Sequence, residues 1–224
     1  MRPSARAFVL RHTRLRSVPG LEEIDLHLAD DVLDVWGSLL VETGDPDVAL
    51  PYWAVAWGGG LAVGRYLRDH SGLVAGKRVF DLASGSGLCA IAAAQAGADD
   101  VHANDIDRFA VAAIALNARA NRCRVDVARR DVLEEGPPDV DMILAADCWY
   151  DAELAGRVLP WLRRAETAGV EVLIGDPGRD HLPRHALVEV ASYDVRTTSD
   201  LEGLRLTQGH VFRLAEPTRG ERAA

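Results

Sequence analysis

Five apolar runs in this chain close on, or lead directly into, an aspartate. Asp81 follows Val79-Phe80, Asp105 follows Val101 to Asn104, Asp131 follows Val125-Asp126-Val127, Asp147 follows Val140 to Ala146, and Asp176 follows Val170 to Gly175. The first is continued by Leu82-Ala83-Ser84-Gly85-Ser86-Gly87 and an Ala-rich segment from Leu88 to Ala96, which reads as strand, tight turn and helix. Gly85 is free to take a positive φ where the chain reverses, and Gly87, without a Cβ, lets the backbone approach a ligand at the helix N-terminus. Alone, Gly85-x-Gly87-x-x-Ala90 fits the dinucleotide fingerprint and equally fits a turn with no ligand. In an open α/β sheet the ligand lies outside the carboxyl ends of the strands, so several of these carboxylates should gather around one crevice, with helix capping accounting for one or two.

Carboxylates in such a crevice repel a pyrophosphate. They suit a nucleoside with ribose hydroxyls and a fixed positive charge, and S-adenosylmethionine, with its sulfonium and ammonium, has both. Asp105, twenty residues beyond Gly85 at the end of a second strand, is placed to accept from both ribose hydroxyls. The same spacing suits NAD, so Asp105 does not discriminate between the two.

The elements that must position these residues alternate. After the central turn come strand Val101–Asp105, helix Arg108–Asn121, a short strand at Val125–Val127, strand Val140–Ala146, a helix from about Asp151 to Ala168, and strand Val170–Ile174. A further helix near Arg184 to Val190 precedes two strands, Tyr193–Arg196 and Leu204–Leu214, joined as an antiparallel pair. That pattern predicts a Rossmann-like, doubly wound α/β fold: a mostly parallel seven-stranded sheet with an antiparallel C-terminal pair. Upstream, Glu23-Ile24-Asp25-Leu26-His27-Leu28 alternates like a half-buried strand, and Asp30-Asp31 start a helix running to Gly44. Pro51-Tyr52-Trp53-Ala54-Val55-Ala56-Trp57-Gly58-Gly59-Gly60 then precedes a helix from about Leu61 to Arg68. Its aromatics are either a core plug at the head of that helix or, beside three flexible glycines, a lid that covers a small ligand.

Composition narrows the partners. The 224 residues suit one domain with an N-terminal extension, and the net charge of −9 provides no global basic field to recruit nucleic acid or an anionic membrane. No apolar run approaches the roughly 18 residues of a membrane helix. Cys89, Cys123 and Cys148 are an odd set without a CxxC, which supports neither a disulfide framework nor a thiolate zinc site and fits a reducing cytoplasm. His181 and His185 are separated by Pro183 and lack a zincin glutamate, so no metal is expected. Met1 to Arg16, with five arginines and no acid, is superficially like an organelle presequence but lacks the apolar core of a secretory signal, and reads as a basic lead-in to the fold. The single lysine, Lys77, amid Ala, Arg and Gly richness suggests a GC-rich bacterial coding bias.

Asp81 to Gly87, Asn104-Asp105-Ile106-Asp107, Asp131 and Asp147-x-x-Tyr150 resemble the successive motifs of seven-strand S-adenosylmethionine-dependent methyltransferases. More closely, Glu23 to Leu28, Pro51 to Trp57, Asp147-Cys148-Trp149-Tyr150 and Gly175-Asp176-Pro177-Gly178-Arg179 resemble the electron transfer flavoprotein β-subunit lysine methyltransferases, from about Phe8 to Leu214. Two positions depart: Ala83 stands where many methyltransferases have the first glycine of the loop, and Gly58 stands where proline is expected, which would loosen the lid.

The resemblance implies an extension over residues 1–75 with the aromatic lid packed on the core, a cofactor-binding core over 76–215 and a flexible tail over 216–224. It implies that Trp57, Asp81, Ala83, Ser84, Gly85, Gly87, Asp105, Ile106, Asp131 and Asp147 hold S-adenosylmethionine, with Asp131 near the adenine. Asp147, Trp149 and Tyr150 would face the substrate, Asp147 docking the amine. It implies a monomeric protein-lysine N-methyltransferase acting on the electron transfer flavoprotein β subunit, ribosomal protein L7/L12, or both. Three other readings stay open: a small-molecule N-methyltransferase clamping a nicotinamide-like heterocyclic amine, an NAD-dependent oxidoreductase, and a non-catalytic nucleotide-binding module. A nucleic-acid N-methyltransferase would show two prolines before Tyr150, and this chain has none there.

Overall fold

The computed structural model describes residues 4–197 and 206–216. Helix α1 (Ala5–His12) leads into the hairpin β1 (Arg14–Val18) and β2 (Leu21–Leu28), then α2 (Val32–Thr43) and α3 (Gly58–Asp69). Alternation follows: β3 (Arg78–Leu82), α4 (Leu88–Gln95), β4 (Asp100–Asp105), α5 (Arg108–Ala120), β5 (Asp126–Arg129), β6 (Met142–Ala146), α6 (Ala152–Thr167) and β7 (Glu171–Asp176). The antiparallel β8 (Leu187–Arg196) and β9 (Leu206–Leu214) complete it.

The seven-stranded sheet runs β5-β4-β3-β6-β7-β9-β8, the first five strands parallel. Strand β9 lies antiparallel between β7 and β8. The central strands β3, β6 and β7 are buried almost throughout, as their unbroken apolar runs demand of a sheet covered on both faces. One covering layer joins α3 and α4 to the hairpin. The opposite layer centres on α6 with Phe80, Trp149 and Trp161. Chain order reverses across β3 and β6, so their carboxyl ends form the crevice where an α/β sheet binds ligands.

Local chemistry fixes several boundaries. Asp31, Asp107 and Asp151 cap α2, α5 and α6 through side-chain bonds to first-turn amides, and Gly44 closes α2 at φ 64°. Two expectations fail. The helix expected near Arg184 to Val190 is a single 3₁₀ turn, Arg184–Ala186, followed at once by β8. As the outermost strand, β8 exposes both faces, so no alternation survives in its sequence, and pairing with β9 decides its conformation. Nor are Gly58, Gly59 and Gly60 a flexible loop; all three are buried in the first turn of α3. Of the strand expected over Leu204–Leu214, the first two residues lie outside the described residues, as does the tail beyond Glu216.

The three glycines sit where α3 crosses β7 and β9 backbone to backbone. A Cβ on Gly59 would overlap the carbonyl of Gly175, and one on Gly175 would overlap that of Gly59. Gly175→Ala is therefore expected to lower stability by at least about 1–3 kcal/mol. Gly136→Ala, with open space at its Cβ, should stay within roughly 0.5 kcal/mol; paired denaturant titrations compare the two.

Candidate active site

A cavity of about 320 Å³ opens at the carboxyl ends of β3, β4, β5 and β6. The turn after β3 forms its floor, with Ala83 at φ 50°, Gly85 at φ 55° and Gly87 at φ 84°. Ala83, like Gly85, stands in the left-handed region, which explains why glycine is the easier residue there. Trp57, Asp81, Ala83, Ser84, Gly85, Asp105, Ile106, Asp131, Asp147 and Tyr150 all line the cavity.

Asp81 lies within the wholly buried stretch Val79 to Leu82 of β3 and is itself 1% exposed. Its Oδ2 accepts from the Ser84 hydroxyl and from the Ala90 amide at 3.0 Å. Burial pushes its carboxyl up to about 7; the Ser84 and Ala90 bonds pull the other way, and the Asp105 carboxylate adds to the rise. Asp105 accepts one backbone amide on each oxygen, from Gly85 and Asp107, both at 2.9 Å. It too is raised by burial. Each oxygen retains an acceptor site for a hydroxyl. Two such carboxylates side by side make the cavity a place for a cation and for hydroxyl donors.

Asp131 behaves differently. It caps the 3₁₀ turn Val132–Glu134 and accepts from Arg157 Nη2 at 2.7 Å, and that bond holds its carboxyl below the usual carboxylate range.

Asp147 follows β6 in the left-handed region, at φ 58°, which an aspartate tolerates better than most residues. Its Oδ1 accepts from the Gly59 amide at 3.1 Å and its Oδ2 from the Gly60 amide at 2.7 Å, so it caps α3 across the cavity wall rather than the helix that follows it. Arg179 Nη1 donates to Asp147 Oδ1 at 2.6 Å and to Asp176 Oδ2 at 2.9 Å. Burial raises the Asp147 carboxyl and Arg179 opposes the rise. Asp176, expected in the crevice, is absent from the cavity wall and acts through Arg179, whose amide and guanidinium it binds. With two bonds on Oδ1 and one on Oδ2, Asp147 is an anchor for α3 at the cavity wall.

The mouth is aromatic. Tyr52 stacks on Tyr150 with ring centroids 4.9 Å apart and lies 5.9 Å from Trp57, whose Nε1 donates to the Tyr52 carbonyl at 2.7 Å. Arg179 stands 6.0 Å over the Trp57 ring. Trp53, by contrast, is the plug, packed with Phe8 and Phe109. Two sequence assignments change. Trp149 is 0% exposed inside the α6 layer and does not line the cavity. Gly87 does not line it either; a Cβ there would press on Ile114 of α5 at 3.2 Å, so its bareness serves helix packing. Tyr52 and Arg179 also reach the cavity, and the sequence signals them only through the segments Pro51 to Trp57 and Gly175 to Arg179 that carry the family resemblance. Among the described residues, the Asp100, His102 and Asp126 side chains come close enough to share a metal ion, but they stand at the amino ends of β4 and β5, away from the cavity.

Residues 69–146 match the family described as ribosomal protein L11 methyltransferase (PrmA). Over 215 residues the chain is 38% identical to the electron transfer flavoprotein beta subunit lysine methyltransferase of Xenopus laevis, covering 92% of this chain and 85% of that protein. The Mus musculus protein of the same name is 36% identical over 217 residues, covering 94% and 84%. Among solved structures, magnesium protoporphyrin IX methyltransferase from Synechocystis, with S-adenosylhomocysteine bound, superposes with a TM-score of 0.52 at 17% identity, over 81% of this chain and 92% of that one. TrmN from Thermus thermophilus gives 0.51 at 22% identity, over 70% and 49%. These two share the fold. The cavity fits the cofactor of such enzymes: its size lies in the range of small-ligand pockets, about 300–1,000 Å³, and buried Asp81 and Asp105 answer an ammonium and a pair of hydroxyls. The chain belongs to the electron transfer flavoprotein β-subunit lysine methyltransferase family and is an S-adenosylmethionine-dependent methyltransferase.

Proposed function

We propose that this chain methylates the ε-amino group of a lysine in a folded protein, and that the acceptor is the electron transfer flavoprotein β subunit. The observation that carries this reading is the aromatic mouth. Tyr52 and Tyr150 are 37% and 44% exposed yet line the same cavity as buried Asp81, so a slender side chain can pass from the surface to the cofactor end. The names of the relatives supply the acceptor. Ribosomal protein L7/L12 is a second acceptor to try. The unpaired cysteines and the arginine-rich composition support a bacterial cytoplasmic protein, and among the described residues no helix is long and apolar enough to cross a membrane.

Bound S-adenosylmethionine supplies an electrophilic methyl group on a sulfonium. Asp81 would pair with its ammonium, Asp105 would accept from its ribose, and Ile106 and Asp131 would border its base. The acceptor must be the neutral amine, and a free lysine with a pKa near 10.4 is handicapped by roughly 4–5 kcal/mol at pH 7. Tyr52, Trp57 and Tyr150 exclude water around the side chain and so favour the neutral form. Arg179 beside Trp57 opposes a second cation, and Asp147 is committed to α3 and Arg179 by three hydrogen bonds. The proton leaves to water.

Three outcomes test this account. Tyr150→Ala should lower kcat/KM for the protein acceptor about tenfold, the loss of a stacked wall plus its desolvation, while calorimetry finds S-adenosylhomocysteine binding unchanged. For wild type, that binding should weaken about tenfold per pH unit below 7, because a protonated Asp81 no longer pairs with the ligand ammonium; Asp81→Asn should bind weakly with a flat profile. Finally, methyl-labelled cofactor in a cell extract should mark one or two protein bands, lost with Asp81→Ala. Self-labelling is not expected, since Lys77 lies before β3, at the far end of the sheet, and pairs with Glu171. Label confined to small molecules would favour a heterocyclic amine as acceptor instead.

A further inference from the structure

Among the described residues, strand β2 has β1 on one edge and no strand on the other. That second edge is satisfied by α5. The His27 amide donates to Asn117 Oδ1 at 2.8 Å and the Asp25 amide to Asn121 Oδ1 at 2.9 Å, while Asn121 Nδ2 returns a bond to the Asp25 carbonyl at 2.6 Å. The fit is geometric: two strand residues span about 6.8 Å and four helical residues about 6 Å. Two asparagines one turn apart thus stand in for a neighbouring strand.

Asn117 does more than Asn121. It is 0% exposed, and its Nδ2 donates to the Ser86 carbonyl at 2.8 Å, in the turn that floors the cavity. One orientation of the amide satisfies both partners, since His27 offers a donor and Ser86 an acceptor. The turn is then held at two successive residues: Gly85 by the Asp105 carboxylate and Ser86 by Asn117. We infer that Asn117 is a positioning residue for cofactor binding, setting the height of the Ser84 to Gly87 turn and linking it to the N-terminal hairpin. Asn121 anchors the hairpin alone. Nothing in this arrangement depends on which amine accepts the methyl group, so the test needs no acceptor.

The measurement is calorimetry of the full chain with S-adenosylhomocysteine, beside thermal unfolding, for three variants. Asn117→Ala should raise the dissociation constant about tenfold, as loss of one buried hydrogen bond would. Asn121→Ala removes two bonds to Asp25 and leaves Ser86 held, so its unfolding midpoint should fall at least as far while its dissociation constant stays within about twofold of wild type. Asn117→Asp keeps an acceptor for His27 but faces the Ser86 carbonyl with a second acceptor. Its affinity deficit relative to wild type should be large at pH 8 and narrow as pH falls, because a protonated carboxyl regains a donor. A residue that served only fold stability would not make that ratio titrate. Wild-type affinity in both Asn117 variants, or equal weakening by Asn121→Ala and Asn117→Ala, would overturn the inference. Should Asn117→Ala not fold, the pH dependence of Asn117→Asp decides.

Discussion

The amides of Gly59 and Gly60 converge on the carboxylate of Asp147, and Arg179 closes the arrangement from the opposite side. Through these bonds the carboxyl end of β6, the start of α3 and the loop after β7 become one unit. Trp57 is the residue immediately before α3, and its ring lies under Arg179. Its indole in turn holds the Tyr52 carbonyl, and Tyr52 stacks on Tyr150. The aromatic mouth is therefore built outward from a single buried carboxylate. The same geometry requires α3 to press against β7 with no side chain between them, which is why glycine stands at both 59 and 175.

A second carboxylate sets the electrostatics. Asp81 is buried at the switch point with its two protein hydrogen bonds on one oxygen and with Asp105 as a neighbour. Its folded value of about 7 lies above the roughly 3.9 of an unfolded aspartate. The folded chain consequently binds the proton more tightly, and stability declines as pH rises between those two values, by on the order of 4 kcal/mol in all. A ligand ammonium paired with Asp81 would offset that cost and stabilise the folded chain by mass action. Strain of this sort, together with Ala83 and Asp147 in the left-handed region, is concentrated where the ligand goes.

Much of this was legible in the sequence because central parallel strands are buried on both faces, and their apolar runs ending in Asp81, Asp105 and Asp147 announce both strand and crevice. The α2 helix was legible from Asp31 and Gly44 for the same local reason. What escaped was set by tertiary contact. Glycines at 58 to 60 have poor helix propensity, and only the close crossing onto Gly175 explains a helix there. Helix α1 is a basic segment whose Phe8 and Val9 find partners ninety residues or more away, on α5. Edge strand β8 carries no period, and Trp149, between the cavity-wall residues Asp147 and Tyr150, turns inward to Trp161 and its neighbours because the chain there is entering α6. The helix that follows Asp147 is capped by Asp151.

The anchoring of Asp147 also bears on how the reaction proceeds. An unpaired carboxylate at the mouth would stabilise the ammonium form of an incoming lysine and so deepen the handicap that catalysis must overcome. Tied to two helix amides and a guanidinium, the same carboxylate has much of its field offset before an acceptor arrives, and exclusion of water by the surrounding side chains favours the neutral amine. A methyl transfer from sulfonium to amine moves positive charge without creating it, so no base needs to sit at the reacting nitrogen. On the proposed reading the site needs a cation-binding pocket at Asp81, an aromatic passage to it, and a rigid joint between them. The Asp147, Arg179 and α3 arrangement is that joint.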